Sequence, residues 1–257
     1  MSSGGVLEFH DGRLRQTRAS LQGPGLVAVA DSWLLVDGTV LALEPHRIRF
    51  LAGVGSEAPD RTDEAAEFWT AAMAALPVEG AWSPRVELRD GTFRLLLRPA
   101  AATSDTVRLV TASHDPRSRP TVKGPDLDRL ATLRDEAQGA GADEAVILSA
   151  DGAVVEGNYS SLVWWRGDVL RQVAPDVPRL PSVTESSLVT LAAALGVEVV
   201  QDEVLPDELD GLEVWAVNSL HGIRIATSWI DGPSLAEEPG RLRLWQTRLD
   251  RLRKPVV

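Results

Sequence analysis

The sequence predicts an α/β protein of two domains, and three observations carry that expectation. Short apolar runs of strand length alternate with longer stretches whose apolar residues recur at helical spacing. Asp-Gly pairs at 37–38 and 151–152 stand between apolar runs, which is the strongest short signal for a hairpin. Residues 112–120, rich in Ser, Pro and Asp, interrupt the pattern and set the expected break, giving a smaller α/β domain over 1–115 and a larger one over 116–257.

In chain order, Leu26-Val27-Ala28-Val29-Ala30 and Trp33-Leu34-Leu35-Val36 read as strands, and Asp37-Gly38 turns into a strand over 39–43. Glu44-Pro45 suits a helix start. The stretch T-D-E-A-A-E-F-W-T-A-A-M-A-A-L over 62–76 predicts a helix capped by Thr62 or Asp63, with Phe68, Trp69, Met73 and Leu76 facing the core. Strands are expected over 85–88, 92–97 and 107–110. Leu127, Leu130, Leu133 and Ala137 place a helix before Gly139-Ala140-Gly141, and a hairpin follows from Ala145-Val146-Ile147-Leu148 and Ala153-Val154-Val155. The remaining expected elements are strands after Ser161, at 197–200 and at 213–217, an apolar helix over 188–195 and a terminal amphipathic helix within 239–253.

Composition narrows the function. A net charge of −11 argues against nucleic acid or an anionic membrane as partner, since both need a cationic surface. No apolar run reaches the roughly 20 residues of a membrane span, and no leader is expected after Met1-Ser2-Ser3-Gly4-Gly5. The chain has no Cys and four His without metal-ligand spacing, so disulfides and zinc-thiolate centres are excluded and a cytoplasmic location is expected.

One residue type is used sparingly. Of the 26 Lys and Arg residues only Lys123 and Lys254 are Lys. An Arg does not deprotonate to a nucleophile and a Lys amine can, so the Lys isolated in the body of the chain is a candidate for covalent chemistry, set against a plain surface Lys in a Gly-Pro loop. Glu156 closes the predicted hairpin 33 residues later. The segment Leu180-Pro181-Ser182-Val183-Thr184 leads into a helix and presents N–H groups and hydroxyls of the kind that bind anions.

The run A-x-x-x-G-A-D-E-A-V-I-L-x-x-D-G-x-V-x-E-G resembles the class IV (fold type IV) pyridoxal-phosphate enzymes: branched-chain aminotransferases, D-amino-acid aminotransferases and 4-amino-4-deoxychorismate lyases. The resemblance implies a larger barrel-like C-terminal domain, a homodimer and pyridoxal 5′-phosphate as cofactor. It makes Lys123 the residue of the internal aldimine and Glu156 the partner of the pyridine nitrogen. L-x-x-H-x-x-R-F, ending at Phe50, assigns Arg49 to the phosphate, while His46 is read as structural. Val183, Thr184, Ser219 and the Leu220 amide are implied phosphate or substrate contacts, and Ser161 takes the place of a family Asn beside the cofactor. Tyr159 and Arg224 are the substrate-side candidates; a packing role for the first and a buried salt bridge for the second are the alternatives.

Four features depart from the family: the N-terminal Gly-Asp-Gly is missing, with Ala30-Asp31 where a Phe-Glu pair is usual, and Ser161, Ser182 and Glu185 replace Asn, Gly and Arg. Arg117 and Arg119, just before Lys123, are read as loop residues rather than substrate contacts. The implied activity is transamination between a small amino acid and a 2-oxo acid. The alternatives are elimination from aminodeoxychorismate, and a family member with reduced catalysis that binds a metabolite.

Overall fold

The computed structural model describes residues 4–18 and 25–256; Met1-Ser2-Ser3 of the expected leaderless start lies outside them. The first strands are β1 (Gly5–His10), β2 (Arg13–Thr17), β3 (Val27–Ser32), β4 (Leu35–Val36) and β5 (Thr39–Val40). Helices α1 (Leu43–Glu57) and α2 (Thr62–Ala74) follow, then β6 (Ala81–Trp82), β7 (Arg85–Arg89), β8 (Thr92–Leu97) and β9 (Thr106–Thr111). Next come α3 (Leu127–Gly139), β10 (Glu144–Leu148), β11 (Val154–Gly157), β12 (Ser161–Arg166) and β13 (Val169–Val173). The chain closes with α4 (Val183–Ala194), β14 (Val199–Asp202), β15 (Glu213–Asn218), β16 (Gly222–Ile230), α5 (Arg241–Asp250) and β17 (Lys254–Pro255).

Asp-Gly hairpins at 11–12, 37–38 and 90–91 have both central residues at positive φ, the two-residue turn whose twist matches paired strands. Asp151-Gly152 does not follow them. Only Gly152 is left-handed, and the loop closes through Gly152 N–H to Ser149 O and Ala153 N–H to Ser149 Oγ. The expected strand over 39–43 ends at Val40, because Leu43 already starts α1. Neither Thr62 nor Asp63 caps α2: its N-cap is Arg61, and the Thr62 hydroxyl turns back to Pro59 O.

The described residues divide into two compact units, the first taking Met1–Ala102, Val122–Leu127 and Leu252–Val257, the second Thr103–Thr121 and Asp128–Arg251. This corrects the expected single break at 115/116. Strand β9 pairs in parallel with both β10 and β16, which draws it into the second unit. Residues 122–127 return to the first unit, where Ala30 N–H donates to Lys123 O at 2.7 Å, and β17 pairs with β5.

In the first unit an antiparallel sheet runs β2-β1-β8-β7-β3, and a small sheet runs β17-β5-β4-β6. Its core is aromatic, with Phe68 stacked on Phe93 at 5.2 Å and Phe50 beside both. Helix α1 lies close on β3 because Gly53 has no side chain; a Cβ there would stand 2.7 Å from Val29 Cγ1.

The second unit is built on one mixed eight-stranded sheet, β11-β10-β9-β16-β15-β12-β13-β14. It curls until its edges meet, with Val154 N–H donating to Val204 O at 2.8 Å, the barrel-like form expected. Alternation along the strands fills both faces. Val146, Leu162, Trp164 and Ala216 join one cluster, while Ala145 and Ile147 pack with Leu133 and Ala137 of α3. The longest strand, β16, was not anticipated as one, since Gly222-Ile-Arg-Ile-Ala-Thr-Ser-Trp-Ile mixes polar and apolar residues without strict alternation.

Candidate active site

In the first unit, Lys123 is held by its backbone against β3. Gly124 next to it has φ +145°, and a Cβ would lie 2.8 Å from Val29 Cα, so glycine lets the segment approach the strand. The side chains around it come from β3 and α1. Asp31 is fully buried and binds Arg49 twice, from Nε and from a terminal nitrogen, each at 2.8 Å. His46 Nδ1 meets the same carboxylate at 2.8 Å, and the Ser32 N–H adds a fourth contact at 2.7 Å. His46 and Arg49 are three apart on α1, so one helix face carries both.

Burial alone would raise the Asp31 carboxyl, but the charges and hydrogen bonds of Arg49 and His46 overcome it and hold it well below the ordinary range. Burial lowers His46, and the positive charges of Arg49 and Lys123 act in the same direction, against the pull of Asp31. The imidazole is therefore neutral at neutral pH and packs on Trp33 at 5.5 Å, in keeping with its structural reading. Asp31, noted from sequence only as a departure, is the anchor of Arg49.

In the second unit, Glu156 ends β11 and is buried. Arg117 donates to its Oε1 at 2.5 Å, and Leu180 N–H lies 3.4 Å from Oε2. Arg117 also forks onto Asp115, at 2.9 Å from Nε and 2.8 Å from a terminal nitrogen. Arg117 lies in a loop, as read, but it does not merely solvate it: its side chain is 6% exposed and fixes Glu156. The only hint in the sequence was a cation six residues before the isolated Lys. Burial pushes the Glu156 carboxyl up to about 7, with Arg117 pulling the other way.

The anion-binding signal has a physical form. Ser182 caps α4 by accepting the Glu185 N–H, which leaves the Val183 and Thr184 N–H groups without intrahelical acceptors. Thr184 Oγ1 lies 3.3 Å from Ser219 Oγ at the β15–β16 turn. Glu185 is neutralised by Arg179, which donates to both carboxylate oxygens at 2.5 and 2.7 Å. The acid at the helix start therefore does not repel an anion as an unpaired charge would.

Other expected residues take different places. The Leu220 amide, implied to face the phosphate, instead donates to Asn218 Oδ1 at 3.0 Å, because the side chain closes the turn from within. Arg224 is buried and ion-paired with Glu144, the salt-bridge alternative, which commits its charge inside the unit. Ser161 is buried on β12 opposite Val217. Tyr159 is 37% exposed, with the Arg134 guanidinium 5.8 Å over its ring. Among the described residues no cluster of His, Asp and Glu suits a metal, and no helix is long and apolar enough to cross a membrane.

The family model for amino-transferase class IV matches residues 28–229. A hypothetical aminotransferase from Mycobacterium tuberculosis in its PLP-bound form is 20% identical, with TM-score 0.78 over 97% of this chain and 98% of that one. A fold IV transaminase from Curtobacterium pusillum is 19% identical, with TM-score 0.76 over 97% of each chain. A branched-chain aminotransferase from Thermoproteus uzoniensis with norvaline is 19% identical, with TM-score 0.77 over 99% of this chain and all of the other. No curated protein sequence matches. The chain belongs to the class IV amino-transferases. It is an enzyme of the pyridoxal-phosphate-dependent kind.

The residues fit that cofactor. Two hydroxyls and two N–H groups converge at the start of α4, a donor set for a phosphate. Glu156 keeps Oε2 on a long contact only, so this buried carboxylate retains accepting capacity for a ring nitrogen.

Proposed function

We propose that the protein is an aminotransferase that moves an amino group between a small amino acid and a 2-oxo acid, working as a homodimer. The observation that carries the reading is that the stretch matching the family model, 28–229, contains one lysine, Lys123. Bound pyridoxal phosphate supplies an aldehyde carbon for amine exchange and a ring that accepts the electron pair left when a Cα proton departs. The protein supplies the rest.

Lys123 Nζ would hold the cofactor and yield it to an incoming amine, and as the freed amine it would take the Cα proton and deliver it to the former aldehyde carbon. The Glu156 carboxylate keeps a proton on the pyridine nitrogen, and Arg117 holds that carboxylate in place. Thr184 and Ser219 offer hydroxyls to the phosphate, Val183 and Thr184 their N–H groups, and Arg49 its charge. Asp31 orients the Arg49 guanidinium.

The test is borohydride reduction of protein mixed with pyridoxal phosphate, followed by peptide mapping, beside Lys123→Ala. The expected result is a visible band near about 415 nm and a label on Lys123, both lost in the variant. No band in the wild type sinks the enzymatic reading and favours the metabolite-binding one. Conversion of amino acids with 2-oxo acids supports transamination, and pyruvate released from aminodeoxychorismate instead assigns the lyase reaction.

A further inference from the structure

We infer that the buried pair Glu144–Arg224 is a positioning device for the turn over 218–222, acting through the Ser160 hydroxyl and the Asn218 carboxamide to set the Ser219 hydroxyl beside Thr184; this rests on the cofactor reading above. Glu144 opens β10 and Arg224 lies on β16, 80 residues away, both almost fully buried. Between them sits Ser160. Its Oγ donates to Glu144 Oε1 at 2.9 Å and accepts from Arg224 at 2.9 Å and from Asn218 Nδ2 at 3.0 Å. A hydroxyl has one donor and two acceptor sites, so all of its capacity is used and its orientation is locked.

That lock reaches the turn. With Nδ2 of Asn218 held by Ser160, Oδ1 faces the loop and accepts the N–H groups of Leu220 at 3.0 Å and His221 at 2.8 Å. Ser219 lies inside this bracket, and its Oγ meets Thr184 Oγ1 at 3.3 Å. The place of that hydroxyl follows from Asn218, hence from Ser160, hence from the ion pair.

Two further observations argue against a pair that merely fills space. Glu144 Oε2 and Arg224 Nε are buried without a hydrogen bond, an arrangement that apolar residues of the same volume would improve for stability. The chain also makes room for it: a Cβ at Gly157 would stand 2.7 Å from Glu144 Oε2, so the residue after Glu156 is the one that lets the carboxylate in.

The experiment compares two ligands, pyridoxal phosphate and pyridoxal, which share the aldehyde and ring and differ in the phosphate. Dissociation constants are measured by the visible band of the lysine-bound ligand for wild type, Ser160→Ala and the double variant Glu144→Gln/Arg224→Met, with thermal unfolding alongside. Both variants are expected to weaken pyridoxal phosphate about tenfold or more, the worth of one well-placed hydrogen bond to a charged group, and pyridoxal less than about twofold. Equal loss for the two ligands, or no loss, overturns the positioning role. If the double variant does not fold, Ser160→Ala decides alone, since it removes the link without stranding a charge. A wild type that binds neither ligand overturns the cofactor reading and this inference together. A wild type that binds both, beside variants that leave the ratio of the two constants unchanged, overturns only the inference.

Discussion

Asp31 and Glu156 are both buried carboxylates gripped by an arginine, one in each unit, and their acidities go opposite ways. Asp31 receives two bonds from Arg49, one contact from His46 and one from a backbone N–H, and it stays a carboxylate far into acid. Glu156 has one short bond from an Arg117 that is shared with Asp115, plus a long backbone contact, and it is pushed up to about 7. The comparison teaches that burial sets the sign of the shift unless enough charge-assisted donors answer it. In the proposed chemistry the difference has a use. Asp31 has only to stand still and orient Arg49, whereas Glu156 has to share a proton with a ring nitrogen, and an acid tuned near 7 does so readily.

The largest expected effect breaks the tight end of the comparison. Asp31→Asn removes the carboxylate that Arg49 binds twice and should cost about 3 kcal/mol of stability, the scale of losing one member of a buried ion pair. Denaturant melts of the cofactor-free protein measure it, and a loss below ~1 kcal/mol would sink the anchor role.

A pH profile sharpens the loose end. The folded acidity of Glu156 is raised from 4.5 to about 7, so its contribution is fully present below 4.5 and is lost as the pH rises through 7. Relative to Glu156→Gln, wild-type stability should therefore fall by about 3 kcal/mol across that window. Asp31 has the opposite sign: its folded value is depressed, so its contribution is present above the ordinary carboxylate value of 3.8 and is lost in stronger acid. A flat difference for Glu156 would mean that Arg117 answers its burial completely.

Arg117→Met tests the same balance by removal. The midpoint of Glu156, read by carboxyl NMR in the cofactor-free protein, should move above about 7, because the main opposing charge is gone. No upward movement would show that Arg117 holds Asp115 rather than Glu156. The smallest effect is expected from an exposed cation: Arg134→Ala, over the ring of Tyr159, should change stability by about 0.5 kcal/mol in a thermal melt. A large loss there would remove the contrast between exposed and buried arginines.

Much of the frame was legible in the sequence. Helix α2, helix α3 and the β10–β11 hairpin follow from spacing and turn residues, because their determinants lie within one or two turns of chain. The segment 180–184 was legible as the lead into α4, but not the start itself: the helix begins at Val183 with Ser182 as its cap, five residues before the expected 188–195. Lys123 stood out for a compositional reason, its isolation among arginines. Arg117, Asp31 and the ordering of Arg224 did not stand out. One arginine among many looks like any other until its partner is known, and the partners lie 39, 18 and 80 residues away for Arg117, Arg49 and Arg224.

By itself the sequence determined most of the segments that become helices and strands, though not β16, together with the α/β class and the one amine available in the family-matching stretch. Only the tertiary structure decided the return of residues 122–127 and of β17 to the first unit, the meeting of the sheet edges at Val154 and Val204, and the pairing of Asp31, Glu156 and Arg224 with their partners. The physical reason is one of range. Backbone propensities and turn geometry act between near neighbours, whereas the cost of burying a charge is met by whichever donor the fold brings near, however distant in sequence.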